Sequence, residues 1–283
     1  MPFIVPIEEA IANFPQFTFV QALTPSEQKA AFHVRAEDGN DYCLKIISPK
    51  YELDRLKREI LALQRLSHPH VVQLIEYTYS SGPQGEKHYM IEQFIPGHDL
   101  SEILAREKLS INEVLRLFIP LFDGLASLYS IGIVHRDLKP SNIRVSSDLQ
   151  PTIIDFGLAR HLNMPDLTLT EQGARIGTPA YFAPEQFTGT KHDIDHRTDL
   201  YAGGLLLYEA LTGAHPYLMP GMRFEELMEA AISSFNYQEN PAFQELPSNL
   251  RLLVSKLLSK ERSRRPISGE TVSKLLVQVI GGL

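Results

Sequence analysis

The stretch VHRDLKPSNIRV at residues 134–145 decides the fold of this chain, and IIDFGL follows it at residues 153–158. An Asp-Phe-Gly triplet alone is a weak signal, because short triplets recur by chance. HRDLKPSN about one strand length upstream of that triplet is much more specific. The polar residues of both motifs could simply be solvated charges on loops, but that interpretation does not account for HRDLKPSN and the Asp-Phe-Gly triplet occurring together.

The composition is that of an ordinary globular chain. Of 283 residues, 43% are apolar and 22% are charged, which argues against disorder. The formal charge of -7 does not favour a nucleic-acid partner, and no apolar run approaches the roughly 18 residues of a membrane span. The single cysteine, Cys43, excludes an intramolecular disulfide, and the first residues lack a secretory signal. We therefore expect a cytoplasmic protein without nucleic-acid or membrane partners.

Hydrophobic periodicity divides the chain into a strand-rich first third and a helical remainder. The first third has a turn signal at Asp38-Gly39-Asn40, a helix pattern at 51–66, and strand patterns at 17–23, 30–35, 41–47, 71–78 and 87–94. After Pro96-Gly97, strand patterns lie at 143–146 and 152–154, and helix patterns lie at 99–107, 111–131, 197–212, 223–234, 247–259 and 268–281. The pattern predicts an α+β fold with two lobes, residues 1–95 and residues 96–283.

The two motifs resemble those of the eukaryotic-type serine/threonine protein kinase family, and the resemblance covers nearly the whole chain. It implies a small strand-rich N-lobe that covers the nucleotide and contributes one regulatory helix. It also implies a larger helical C-lobe with the catalytic loop, the activation segment and the substrate platform. The implied reaction transfers phosphoryl groups from ATP, with Mg²⁺, to serine or threonine hydroxyls of a protein substrate.

The resemblance assigns roles to the residues of the central stretch. Asp137 accepts the hydroxyl proton, and Lys139 lies near the transferred phosphoryl group. Asn142 and Asp155 offer the oxygen ligands that Mg²⁺ prefers. Phosphoryl transfer depends mainly on positioning and charge neutralisation, which explains why these residue types are needed together.

Lys45 in YCLKII matches the family lysine that binds the α- and β-phosphates, and Glu59 in the following helix is expected to pair with it. A lone lysine–glutamate pair is more often a surface salt bridge of little energetic value. The position of this pair between a hairpin and HRDLKPSN favours the functional interpretation. Glu52 is the alternative partner, but it lies near the start of the helix.

GTPAYFAPEQ at residues 177–186 resembles the end of a kinase activation segment. The resemblance implies that Thr178 hydrogen-bonds the catalytic residues and that Glu185 pairs with Arg265. Asp199 begins an apolar helix, so its carboxylate would be buried and would need partners. The resemblance assigns it to the backbone around His135 and Arg136.

Arg136 is, in the family, the anchor for a phosphate on the activation segment. Thr168 and Thr170 are the candidate phosphorylation sites, and self-association for trans-autophosphorylation would modify them. Thr178 is the third threonine of the segment, and its position near the acceptor site favours a structural role over phosphorylation. In the alternative interpretation, Arg136 packs locally and pairs with an acid such as Glu171.

The sequence departs from the family at the phosphate loop. No glycine occurs before Gly39, and the segment that should hold the glycine-rich motif, residues 22–31, reads ALTPSEQKAA. Glycines let the backbone approach phosphates and donate amide hydrogen bonds, whereas Pro25 has no amide hydrogen to donate. We expect this loop to bind phosphate differently from the usual loop, or to belong to a partner site.

Two charges also fall in the expected adenine pocket. Alignment places Gln93 to Ile95 at the hinge and Asp99 near the ribose hydroxyls, but it places Glu92 and Arg144 where apolar residues are usual. The two charges could pair with each other, contact a ligand, or reflect a one-residue misalignment.

The main hypothesis is an active serine/threonine kinase. The first alternative is a pseudokinase that acts as a binding or scaffolding module, and the second is a kinase of a small molecule or another nucleotide reaction on this fold.

Overall fold

The computed structural model divides the chain into two compact units. The first unit comprises residues 1–67 and 72–95, and the second comprises residues 68–71 and 96–283. The described residues are 2–82, 85–106, 108–161, 179–188, 193–233 and 236–282.

The first unit is built on a five-stranded sheet in the order β1-β2-β3-β5-β4, with every neighbouring pair antiparallel. The predicted hairpin at residues 38–40 is confirmed: Gly39 has φ 85°, and Asp38 accepts a hydrogen bond from the amide of Asn40. The strands are β1 (Phe17–Ala22), β2 (Lys29–Ala36), β3 (Asp41–Ile47), β4 (Leu74–Gly82) and β5 (Gly85–Gln93).

One face of this sheet is apolar because side chains alternate between faces along each strand. A short helix, α1 (Ile7–Asn13), packs on this face through Ala10, and Phe14 follows it with its ring 4.9 Å from that of Tyr89. The strand residues of this apolar face are Ala30, Phe32, Val34, Leu44, Ile46, Tyr89 and Ile91. The sequence did not predict α1.

The longer helix of the first unit, α2 (Leu53–Gln64), confirms the helix pattern at 51–66. It buries a stripe that includes Leu56, Ile60 and Leu63, as expected for an amphipathic helix. Leu53 has the same helical spacing as these residues, but it is the first helical residue and is exposed.

The second unit consists mainly of helices. Its helices are α3 (Leu100–Arg106), α4 (Ile111–Ser130), α5 (Pro184–Thr188), α6 (His196–Thr212), α7 (Phe224–Ile232), α8 (Pro241–Gln244), α9 (Ser248–Leu257) and α10 (Gly269–Ile280). Helix α4 starts with a capping box between Ser110 and Glu113 and continues through Pro120. It packs against α6 and α10, and Gly203 of α6 lies close to the ring of Phe122.

Short strands of the second unit flank the central motifs of the sequence. They are β6 (His98–Asp99), β7 (Ile133–Val134), β8 (Ile143–Val145), β9 (Pro151–Ile153) and β10 (Arg160–His161), which form the ladders β6-β8-β9 and β10-β7. Residues 135–142 therefore connect β7 to β8, and Asp155 follows β9. Within the described part of the chain, no helix combines the length and hydrophobicity needed to cross a bilayer.

Candidate active site

Asp137 lies at the centre of the loop between β7 and β8. Lys139 Nζ donates to Asp137 Oδ2 at 2.9 Å, and Asn142 Nδ2 donates to the same oxygen at 3.1 Å and to the Asp137 carbonyl at 2.8 Å. Both side-chain donors bind the same carboxylate oxygen, so the carboxylate is held in one orientation. The structure thus brings Asp137, Lys139 and Asn142 together, as the resemblance implied.

Asp199, in the first turn of α6, holds the backbone of this loop. Its Oδ2 accepts from the amide of His135 at 2.7 Å, and its Oδ1 accepts from the amide of Arg136 at 2.9 Å. Burial raises the pKa of Asp199, and the charge of His135 and the two amide hydrogen bonds oppose that shift. Arg136 has φ 68°, a left-handed conformation that is strained for a non-glycine residue. The prediction that Asp199 fixes this backbone is confirmed.

Asp155 follows β9 and lies in the same part of the second unit. The amide of Ile154 donates to the carbonyl of Asn142 at 2.9 Å, so the segments that present Asn142 and Asp155 are hydrogen-bonded neighbours. Asp155 has φ 62°, and its Oδ1 accepts from the amide of Gly157 at 3.4 Å. The ring of His135 supports this segment, because its Nε2 bonds the Ile154 carbonyl at 3.2 Å.

Arg144 has partners within its own unit. Its Nη1 lies 2.9 Å from Asp99 Oδ1, directly across the β6–β8 ladder, and its Nη2 donates to the carbonyl of Gly97. Pairing with Asp99 compensates the charge of Arg144, at a position where the resemblance predicted an apolar residue. The same contact engages the carboxylate of Asp99.

The first unit contains two lysine–glutamate pairs whose partners differ from the sequence-based expectation. Lys45 Nζ lies 2.6 Å from Glu92 Oε2, whereas Glu59 Oε1 accepts from Lys29 Nζ at 2.5 Å. The other oxygen of Glu59 accepts from the hydroxyl of Tyr51 at 3.1 Å. Each glutamate is buried, so each needs a cationic partner. The sequence expectation had joined Lys45 to Glu59 and did not include Lys29.

The turn between β1 and β2 uses its own amides. Ser26 donates its amide to the carbonyl of Lys29 at 2.9 Å, and its hydroxyl oxygen accepts from the amides of Gln28 and Lys29 at 3.2 and 3.0 Å. The amide of Phe3 donates to the carbonyl of Ser26 at 2.7 Å. In this conformation three amides that could face a phosphate are directed into the turn instead.

The segment expected to be the hinge ends strand β5. The amide of Gln93 donates to the carbonyl of Gln73 at 2.9 Å, and the ring of Phe94 stacks on His33 at 3.7 Å. Ile95 is the last residue of the first unit. These contacts fix the end of the strand, and nucleotide binding by Gln93 and Ile95 stays a prediction.

Thr168, Thr170 and Thr178 lie outside the described residues, but the segment that follows them is firmly held. Arg265 donates to both oxygens of Glu185, at 2.6 and 2.8 Å, and this pair is buried, as the sequence predicted. The bidentate geometry fixes the start of α5 against the loop before α10.

A second anchor of that segment was not found from the sequence. The carbonyl of Ala180 accepts from His215 Nε2 and from the hydroxyl of Tyr217, both at 3.0 Å. The hydroxyl of Tyr181 donates to Glu209 at 2.6 Å, and burial raises the pKa of Glu209. The sequence could have indicated this anchor only through polar residues in apolar surroundings, namely His215, Tyr217 and Glu209. It could not identify their partners, because those depend on how the chain folds.

Comparison with known proteins agrees with this geometry. The protein kinase domain family matches residues 29–276, so the match begins after the turn at residues 23–28. The chain is 33% identical over 79% of its length to the serine/threonine-protein kinase pkn2 of Myxococcus xanthus, covering 27% of that protein. It is 32% identical over 92% of its length to the probable serine/threonine-protein kinase PkwA of Thermomonospora curvata, covering 34%. It is 35% identical over 76% of its length to the human serine/threonine-protein kinase ULK3, covering 44%.

The chain thus spans between about a quarter and under a half of the length of these relatives. The family match covers most of the chain, and the two-unit architecture with a helical second unit is that of the bilobal kinase fold. The chain belongs to the protein kinase domain family, of the eukaryotic serine/threonine type.

Proposed function

We propose that this chain transfers the γ-phosphoryl group of ATP, with Mg²⁺, to serine or threonine hydroxyls of a protein substrate. The observation that supports this most is the arrangement around Asp137. Its carboxylate accepts from Lys139 and Asn142, and Asp199 accepts from the amides of the two preceding residues, His135 and Arg136. A binding module would not need these residues as a set.

In the proposed step, the hydroxyl oxygen of the acceptor forms a bond to the γ-phosphorus. The bond from that phosphorus to the β–γ bridging oxygen breaks, which releases ADP, and Asp137 accepts the hydroxyl proton. Lys139, 2.9 Å from Asp137, provides a positive charge beside the phosphoryl group that is transferred. A general base of this kind contributes about 10²–10⁴-fold to turnover.

Asn142 and Asp155 fit the requirements of a magnesium site. The side-chain nitrogen of Asn142 is bonded to Asp137, which turns the amide oxygen away from Asp137, and the carboxylate of Asp155 supplies a second oxygen donor. When bound, Mg²⁺ would neutralise phosphate charge. Lys45 is the proposed lysine for the α- and β-phosphates.

Gln93 and Ile95 are the proposed hinge contacts to the nucleotide base. Asp99 is the proposed ligand of the ribose hydroxyls, although it would have to share its carboxylate with Arg144.

Regulation by phosphorylation is a further part of the proposal. Arg136 is the anchor for a phosphate added to Thr168 or Thr170 by a second copy of the chain, while Thr178 keeps a structural role. A phosphothreonine supplies nearly two negative charges and three acceptor oxygens, which is enough to order a loop against arginine.

A pseudokinase is the second candidate, and two observations favour it. The amides of Ser26 and Gln28, in the turn at residues 23–28, and of Lys29, the first residue of β2, are used in hydrogen bonds within this segment, and Arg144 engages Asp99. Both contacts reduce the groups available to a nucleotide. In that case the chain would act as a binding or scaffolding module without turnover.

Incubation with Mg²⁺ and γ-³²P-labelled ATP, with myelin basic protein as acceptor, separates the two functions. We expect labelling by the parent chain and a loss of at least about 100-fold in Asp137→Asn and Asp155→Asn. Asp54→Asn, at an exposed site on α2, is the matched control and should label normally. Peptide mapping of the labelled chain checks Thr168 and Thr170. Equal labelling by the parent and both active-site variants, or no labelling at all, would contradict the kinase assignment.

A further inference from the structure

The register of the first sheet places three charged residues on the face opposite the apolar cluster. Lys29 lies across from Ile47 in the β2–β3 ladder, and Lys45 lies across from Ala31. In the β3–β5 ladder, Glu92 lies across from Cys43, two positions from Lys45. Since side chains alternate, Lys29, Lys45 and Glu92 share one face, and Glu59 of α2 reaches that face through Lys29.

Lys29 binds Glu59 in a setting that excludes water. Both side chains are buried, at 6% and 0% relative exposure, and their charged atoms are 2.5 Å apart. The ammonium of Lys29 also lies 5.6 Å from the ring centre of Tyr51, whose hydroxyl donates to the second oxygen of Glu59. This three-residue contact joins β2 to the middle of α2.

Lys45 is held by a different acid. Glu92 Oε2 lies 2.6 Å from Lys45 Nζ, and both residues belong to neighbouring strands of the same sheet. Among the described residues, the other oxygen of Glu92 has no hydrogen-bond partner, so the buried charge of Glu92 depends on Lys45. Strand–strand pairing orients Lys45 whatever the position of α2.

We propose a division of two roles, phosphate binding and positioning of helix α2, between two lysines. Lys29 positions helix α2 through Glu59, and Lys45, oriented by Glu92, binds the nucleotide phosphates. Lys29 is then a positioning residue, and Glu92 is the orienting acid of the phosphate lysine. The proposal deepens the proposed kinase function and rests on it for the role of Lys45.

The division predicts separate kinetic signatures. Lys29→Met removes the partner of Glu59, so it should lower kcat about tenfold or more while changing KM for ATP less than about threefold. Lys45→Met should instead raise KM for ATP about tenfold or more. Lys57→Met, an exposed lysine of α2, is the matched control and should leave both constants at the parent values. Lys29→Arg, which keeps the charge, should restore part of the lost kcat.

Double-mutant cycles test the same pairings without requiring catalysis. The unfolding transition is measured for Lys29→Met with Glu59→Gln, for Lys45→Met with Glu92→Gln, and for the crossed pair Lys45→Met with Glu59→Gln. We expect the first two pairs to be non-additive, because removing both partners leaves no unpaired charge, and the crossed pair to be additive. If Lys29→Met does not fold, Lys29→Gln takes its place in the cycle.

The outcomes distinguish the two proposals. A parent chain without phosphoryl transfer would refute the kinase function, while non-additive Lys29–Glu59 and Lys45–Glu92 cycles would still support the pairings. Coupling between Lys45 and Glu59 with none between Lys29 and Glu59 would overturn the division. A rise in KM for ATP in Lys29→Met equal to that in Lys45→Met would also overturn it.

Discussion

His215 binds the segment after residue 178 as a neutral ring, and this makes the fold sensitive to acid. Its Nε2 lies 3.0 Å from the carbonyl of Ala180, and its Nδ1 accepts from the amides of Leu218 and Tyr217 at 3.0 and 3.4 Å. A carbonyl accepts and an amide donates, so the ring has its proton on Nε2 and none on Nδ1. Protonation of Nδ1 would break the bonds to both amides.

The size of the effect follows from the pKa. Burial lowers the pKa of His215 from 6.5 to about 4, and the bond to Ala180 opposes this shift. A histidine whose folded pKa is lowered contributes stability above its unfolded pKa, and that stability is lost as the pH falls from 6.5 towards 4. Between pH 8 and pH 5 the unfolded chain takes up a proton that the folded chain refuses, which costs about 2 kcal/mol.

Urea unfolding of the parent and of His215→Asn at pH 8, 6.5 and 5 measures this cost. The asparagine oxygen can replace Nδ1 as acceptor but does not titrate, so the parent should lose about 2 kcal/mol more than the variant between pH 8 and pH 5. Glu209, whose pKa burial raises, contributes to both proteins and cancels in the comparison. Circular dichroism at pH 8 checks that the variant is folded. The same loss of stability in both proteins would refute the assignment of this acid sensitivity to His215.

Two further outcomes are expected. Asp199→Asn keeps only one acceptor for two backbone amides, so it should lower the free energy of unfolding by about 2 kcal/mol or more and reduce turnover in the labelling assay; unchanged urea unfolding would contradict this. Ser26→Gly removes the oxygen that accepts from Gln28 and Lys29, so it should release both amides and tighten Mg²⁺–ADP binding in isothermal titration, whereas weaker binding would show that the closed turn is not a deficit.

Much of the second unit was predictable from the sequence because α4 and α10 have long, regular apolar stripes and α6 is a long segment that is buried on nearly every side. Helix α4 and helix α6 begin at or next to the predicted residues, and the Glu185–Arg265 pair follows from motifs whose spacing is set by the family. Helix α1 could not be predicted. It has seven residues and one buried residue, Ala10, so its stability depends on packing against the sheet rather than on its own periodicity.

The family motifs did not predict the acids with which Lys29 and Lys45 pair. Lysines are usually exposed, and no family motif assigns a partner to Lys29 in ALTPSEQKAA. Yet Ala30, Phe32 and Val34 must face the apolar cluster, and alternation then sends Lys29 to the opposite face of β2.

The same rule applied to Leu44 and Ile46 sends Lys45 to that face, and applied to Tyr89 and Ile91 it sends Glu92 there. Alternation was therefore enough to group the two lysines with Glu92, although it could not choose their partners. The packing of α2 on the sheet brings Glu59 to 2.5 Å from Lys29. The pairing of β3 with β5 brings Glu92 to 2.6 Å from Lys45. A family motif records which residues are present, but helix packing determines that Lys29 meets Glu59, and strand pairing determines that Lys45 meets Glu92.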